Sequence, residues 1–100
     1  MILHIDTERN SVLVGEPDDC KRLCAVISGA GNIDTALGPL GSADADDAHL
    51  WIKVEALKRA AMPTHDVDWS TRFDAMIEYA KSKGWIDTSK TRVRVHLSRQ

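Results

Sequence analysis

The chain has 100 residues, of which 43% are apolar and 28% are charged, and its formal net charge is -2. This composition predicts one globular domain over residues 1–100 and excludes a disordered chain, because the apolar side chains suffice for one core. No apolar run approaches the roughly 20 residues of a membrane-spanning helix and no secretory signal opens the chain, so we expect a cytoplasmic protein without membrane contact.

Two short β-prone runs near the amino end predict a hairpin. Residues 2–5 and 12–14 are rich in aliphatic side chains and flank a polar connection. Residues 17–28 then predict a helix, because their apolar side chains recur at helical spacing. Cys20 and Cys24 belong to that apolar stripe, and their helical separation predicts reduced thiols rather than a disulfide.

The middle of the chain is less regular. Residues 28–43 are rich in glycine, and we expect a mobile loop there because long connections in compact domains are often binding loops or disordered. Residues 49–61 fit two periodicities. They predict a strand over 49–54 followed by a helix over 55–61, and a single long helix is the alternative.

The carboxyl-terminal third begins with the strongest helical pattern in the chain. Residues 69–83 carry a continuous apolar stripe, which predicts a helix. Asp66 or Asp68 can cap its start. Gly84 is expected to end it in the left-handed conformation, which folds Trp85 back against the helix.

A strand is predicted to close the chain. After a polar turn at residues 87–91, polar and apolar residues alternate strictly over residues 92–97. This alternation puts Val93, Val95 and Leu97 inside and leaves a solvent-exposed, cationic face outside. The element order is β-β-α-loop-β-α-α-β. It predicts an α+β fold with a small antiparallel or mixed sheet of about four strands and helices packed on one face.

Charge is distributed unevenly along the chain. Residues 1–80 contain seven Lys and Arg against 14 Asp and Glu, whereas residues 81–100 contain six against one. The basic end either neutralises the acidic part of the same molecule or binds an acidic partner. The residues expected to bind a partner combine cations of the last turn and strand with an aromatic and a lysine on the neighbouring strand: Trp51, Lys53, Lys90, Arg92 and Arg94.

No motif in the sequence specifies a reaction. The expected function is therefore a non-enzymatic interaction or regulatory module that binds a protein partner or a second copy of itself. We expect no cofactor and no metal, since the cysteine pair has no matching second pair and the acidic clusters do not complete a calcium loop.

A nucleic-acid-binding protein is the first alternative. Residues 69–97 combine a helix, a polar turn and a cationic strand, an order that resembles the recognition helix and wing of winged-helix proteins. The resemblance implies phosphate contacts from Arg92 and Arg94. Asp74 and Glu78 depart from that pattern, because they occupy the helix face that would enter a groove.

A small enzyme with a Cys/His or carboxylate site is the second alternative. One thiol and one imidazole within hydrogen-bond reach suffice for nucleophilic chemistry. His4 and His96 both fall at outward-facing strand positions, and they would form a pair if their strands were neighbours.

Overall fold

The computed structural model describes residues 1–46, 48–61 and 68–99. In these residues a mixed sheet combines with three α-helices and one 3-10 turn, which confirms the predicted α+β class but with six strands rather than about four. The strands are β1 (Ile2–Asp6), β2 (Ser11–Gly15), β3 (Cys24–Ser28), β4 (Gly41–Ala43), β5 (His49–Lys53) and β6 (Arg92–Arg99). The helices are α1 (Ile33–Leu37), α2 (Val54–Ala61) and α3 (Trp69–Ser82), and the 3-10 turn is Gly38–Leu40.

The strand order in the sheet is β2-β1-β3-β6-β5-β4. The central strands β1, β3 and β6 run parallel to one another, while β2 is antiparallel to β1 and β5 is antiparallel to both β6 and β4. Helix α1 contacts β1, β2 and β4. Both edge strands of the sheet therefore approach the same short helix.

One face of the sheet forms the core. Val93, Val95 and Leu97 are buried, as their alternation predicted, and Trp69 and Phe73 of α3 pack into the same cluster. Side chains that point the other way along the strands are half-buried or exposed. No helix in the described part of the chain is long and apolar enough to cross a membrane.

The prediction of a helix over residues 17–28 is wrong. Residues 24–28 form β3, an interior strand, and the preceding residues form turns. Ala25 and Ile27 are buried on the core face, so an apolar spacing that also fits a helix is used here as strand alternation. Cys20 and Cys24 do not share a helix, and both are free thiols. Burial raises the pKa of the Cys20 thiol.

The stretch predicted as a loop over residues 28–43 instead contains α1, the 3-10 turn and β4. Asn32 caps α1, because its Oδ1 accepts a hydrogen bond from Thr35 N at 2.9 Å. The carboxylate of Asp34 accepts a hydrogen bond from Ala43 N at 2.7 Å and so ties α1 to β4. The mobility of this stretch stays a prediction.

The elements of the second half agree closely with their sequence patterns. Residues 49–61 are strand β5 followed by helix α2, which excludes the single long helix. Asp68 occupies the N-cap position of α3, but its side chain forms no capping hydrogen bond, and Asp66 lies outside the described residues. Strand β6 lies between β3 and β5 inside the sheet. It is therefore an interior strand and not the wing that the winged-helix resemblance implied.

Candidate partner-binding site

Four of the five residues predicted to bind a partner share one patch on the outer face of the sheet. Trp51 lies directly across from Arg94, and Lys53 lies directly across from Arg92, because β5 and β6 are paired in that register. Lys90 lies in the turn that precedes β6 and has a φ of 61°. The structure therefore places the predicted aromatic and cationic side chains on neighbouring strands.

Arg94 is held by carboxylates of the connection between β4 and β5. Its Nε donates to Asp44 Oδ2 at 3.1 Å and its Nη2 donates to Asp46 Oδ2 at 2.6 Å. The same Asp46 oxygen lies 2.8 Å from Nδ1 of His49. These contacts fasten the β4–β5 connection to β6, so much of the Arg94 charge is neutralised within the molecule.

Arg92 is also paired, since its Nε lies 3.7 Å from Asp87 Oδ2. Both arginines thus pair with carboxylates of the same molecule, which is the first of the two alternatives for the basic end. Several lysines around this surface form no ion pair with any described residue: Lys21, Lys53, Lys83 and Lys90.

Along the edge of β6 that faces away from β5, the neighbouring segment changes halfway along the strand. Near its start, an antiparallel bridge joins Ile86 to Val93, and Arg94 N donates to Trp85 O at 2.7 Å. Pairing with β3 begins only at His96. A gap therefore opens at this edge of β6, between the chain after α3 and the start of β3.

A recess of about 220 Å³ lies at this gap. Its apolar and aromatic lining comes from α3, the segment after α3 and the residues beside β3: Leu23, Met76, Ile77, Tyr79, Ala80, Trp85 and Val93. Its basic and imidazole lining is Lys21, His49, Arg94 and His96. No carboxylate is among the described residues that line the recess.

An exposed aromatic pair stands at the recess. Tyr79 is 57% exposed and Trp85 is 43% exposed, and their rings meet edge to face with centroids 6.1 Å apart. The Lys83 ammonium lies 5.5 Å from the centre of the Tyr79 ring. The turn at Gly84 positions Trp85, whose backbone N–H donates to Ala80 O at 2.9 Å.

The two histidines of the recess are cross-strand neighbours. His49 and His96 are paired in the β5–β6 register, and their rings meet edge to face at a centroid distance of 5.4 Å. The suggested pairing of His4 with His96 is wrong, because β3 separates their strands. Among the described residues, no group of three or more His, Cys, Asp and Glu side chains is arranged to hold a metal ion.

Sequence reasoning missed Lys21, Tyr79 and Trp85 as site residues. A signal existed for Trp85, because the glycine cap at Gly84 already predicted that its side chain folds back toward α3. Lys21 had no such signal, since its segment was assigned to a helix that does not form.

No protein-family model, curated protein or solved structure matches this chain. Its own geometry therefore carries the functional argument.

Proposed function

We propose that this protein is an interaction module that binds an acidic segment of a partner protein and takes one apolar side chain of that segment into the recess. The observation that carries the proposal is the combination of an apolar recess, an exposed aromatic pair and a basic rim. The outer face around Trp51 and Lys53 extends this surface along β5 and β6.

The size of the recess favours a side chain over a whole small molecule. Its volume is about 220 Å³, whereas pockets that bury drug-sized ligands typically span about 300–1,000 Å³. Protein interfaces concentrate their binding energy in a few central pockets, and their hot spots are enriched in tryptophan, tyrosine and arginine. The Tyr79–Trp85 pair beside Arg94 has this composition.

The charge of the rim selects the partner segment. Lys21 lines the recess, and Lys83 stands over Tyr79 beside it. Lys53 and Lys90 add positive charge along the outer face and the turn. Complementary charge raises association rates and suppresses partners of the wrong sign, so an acidic segment is favoured and its affinity should fall as salt increases.

A synthetic peptide tests the proposal directly. The probe is a fluorescein-labelled peptide of glutamates around one central leucine, and its fluorescence anisotropy is measured during titration with the protein. We expect saturable binding that weakens at least tenfold when the leucine is replaced by serine, because burying a leucine side chain is worth about 1.5–3 kcal/mol and about 1.4 kcal/mol is a factor of ten.

A charge-reversal pair locates the binding surface. Lys21→Glu should weaken binding of the leucine peptide at least tenfold, while Arg59→Glu makes the same charge change at an exposed position of α2 outside the recess lining and should leave it close to wild type. Equal affinity for the leucine and serine peptides contradicts the proposal, as does wild-type affinity in Lys21→Glu.

A small enzyme is the second candidate function, and the pairing of β3 with β6 favours it. Cys24 lies directly beside His96 on the outer face, because β3 and β6 are paired parallel at that position. The His96 ring meets the ring of the neighbouring His49 edge to face, and His49 is itself in contact with Asp46.

Alkylation of Cys24 tests this candidate. In a Cys20→Ser background, iodoacetamide should label Cys24 several-fold faster when His96 is present than in the His96→Ala variant, if the imidazole activates the thiol. Equal labelling rates remove the Cys24–His96 pair as a nucleophilic site.

A further inference from the structure

We infer that two copies of this chain associate through the free edge of β2, antiparallel and about a twofold axis that passes beside Leu13. The sheet would then continue from one copy into the next. This interface lies three strands from β6 in the sheet order, so it is separate from the recess.

The hydrogen-bonding pattern of β1 shows which groups β2 leaves unused. Thr7 N donates to Ser28 O at 3.1 Å, which continues the parallel ladder between β1 and β3 and directs the odd-numbered residues of β1 toward β3. The even-numbered residues therefore face β2, where their partners are also the alternate residues 11, 13 and 15. The N–H and C=O groups of Val12 and Val14 consequently point away from β1, to the free edge.

Two of the usual protections against strand pairing are absent from this edge. Exposed sheet edges are commonly protected by charged residues, by proline or by a covering helix, and Ser11–Gly15 contains no charged residue and no proline. Helix α1 contacts β2, but it leaves a recess beside Val12 and Val14 and forms no backbone hydrogen bond with them. Leu13 is 70% exposed on the outer face, more than any other large apolar side chain in the described ranges. A second strand at this edge would bond Val12 and Val14 and cover Leu13.

The register follows from self-complementarity. With the axis beside Leu13, Val12 of each copy bonds to Val14 of the other, and the two Leu13 residues face each other as a non-hydrogen-bonded pair. Such a pair has its Cα atoms about 4.5 Å apart, which brings the side chains together. The dimer would therefore cover the exposed Leu13 side chain of each copy.

Charge at the two ends of β2 favours antiparallel over parallel pairing of two copies. Arg9, whose side chain is 85% exposed and whose Nε lies 3.7 Å from Asp6 Oδ2, precedes the strand beside Glu8, and Glu16 and Asp18 follow it. Antiparallel pairing brings Arg9 of one copy near Glu16 of the other, twice per dimer, and Glu8 near Asp18. Parallel pairing would instead place each of these charges against its own equivalent. The pairing is limited to five residues, because Asn10 and Glu16 both turn the chain with a φ of 50°.

Sedimentation velocity tests the dimer. Between about 10 µM and about 1 mM the weight-average mass of the wild type should rise from 11.1 kDa toward twice that value. Leu13→Lys and Leu13→Glu should each stay at the monomer mass. An equimolar mixture of the two variants should dimerise again, because lysine and glutamate then meet at the axis.

Tyr79→Lys is the matched control, since it places the same charge at another exposed apolar position outside β2, and it should dimerise as the wild type does. Recovery in the mixture also shows that both Leu13 variants are folded. A wild type that stays at 11.1 kDa at the highest concentration, or a mixture no heavier than its separate components, overturns the inference.

Discussion

Asp46 organises the connection between β4 and β5 through most of its acceptor sites. Its Oδ1 accepts hydrogen bonds from Ala48 N at 3.0 Å and His49 N at 3.1 Å, while its Oδ2 contacts His49 Nδ1 and Arg94. These contacts favour the charged carboxylate. The backbone bond from Ala48 and then the His49 side chain lower the pKa of Asp46 from 3.8 to about 2.

The first prediction is that Asp46→Asn flattens the acid dependence of stability. A carboxyl whose pKa is lower in the folded state contributes stability above its unfolded pKa and loses it as pH falls toward the folded value. For Asp46 the window lies between pH 3.8 and about 2. Urea unfolding at several pH values across this window should show a shallower loss of stability in Asp46→Asn. Identical acid slopes for the two proteins would contradict the assignment.

At the scale of the element, the end of α3 is a glycine-capped Schellman turn. Trp85 N donates to Ala80 O at 2.9 Å and Gly84 N donates to Lys81 O at 3.1 Å, with Gly84 at a φ of 79°. Both bonds satisfy helix carbonyls that would otherwise lack a partner. The same turn directs the chain toward the bridge at Ile86 and so forms one side of the recess.

A substitution at Gly84 measures the cost of this turn. Gly84→Ala should destabilise the protein by about 1 kcal/mol, because a side chain is strained at this φ, and no atom lies within 4 Å of the added Cβ to cause a clash. Gly84→Asn should cost less, since asparagine tolerates the left-handed region. Urea denaturation compares the three proteins, and equal losses for alanine and asparagine would argue against backbone strain as the cause.

Local signals explain which elements could be predicted. Helix α3 and strand β6 were predicted because each has a long, unambiguous periodicity, and α3 has a glycine at its end. Strand β3 was missed because five residues of apolar spacing fit a strand and a helix equally well. Its pairing with β6, about 70 residues later in the chain, decides the outcome. A short local sequence does not contain that information.

At the scale of the whole molecule, the proposed binding surface was predictable only in part. The alternation of β5 and β6 correctly indicated that Trp51 and Arg94 face the same way. The recess was not predictable, because its lining comes from separate segments around Lys21, Trp85 and His96. Only the change of neighbour along β6 brings these segments together.

The whole molecule also determines which of the predicted cations are already paired. The acidic connection before β5 reaches back to β6 and neutralises Arg94 through Asp44 and Asp46. Surface ion pairs of this kind contribute little to stability on average, so their main consequence here is positional. Among the predicted cations, Lys53 and Lys90 form no ion pair with a described residue.

The position of the bound peptide is the most direct test of the proposed recess. A ¹H–¹⁵N NMR titration of the labelled protein with the leucine-centred acidic peptide should produce saturable shifts at Lys21, Trp85 and His96, with the residues of β2 unaffected. The serine-centred peptide should produce smaller shifts at the same amides. Saturable shifts confined to other surfaces, or no saturable shift at the recess, would contradict the proposed binding site.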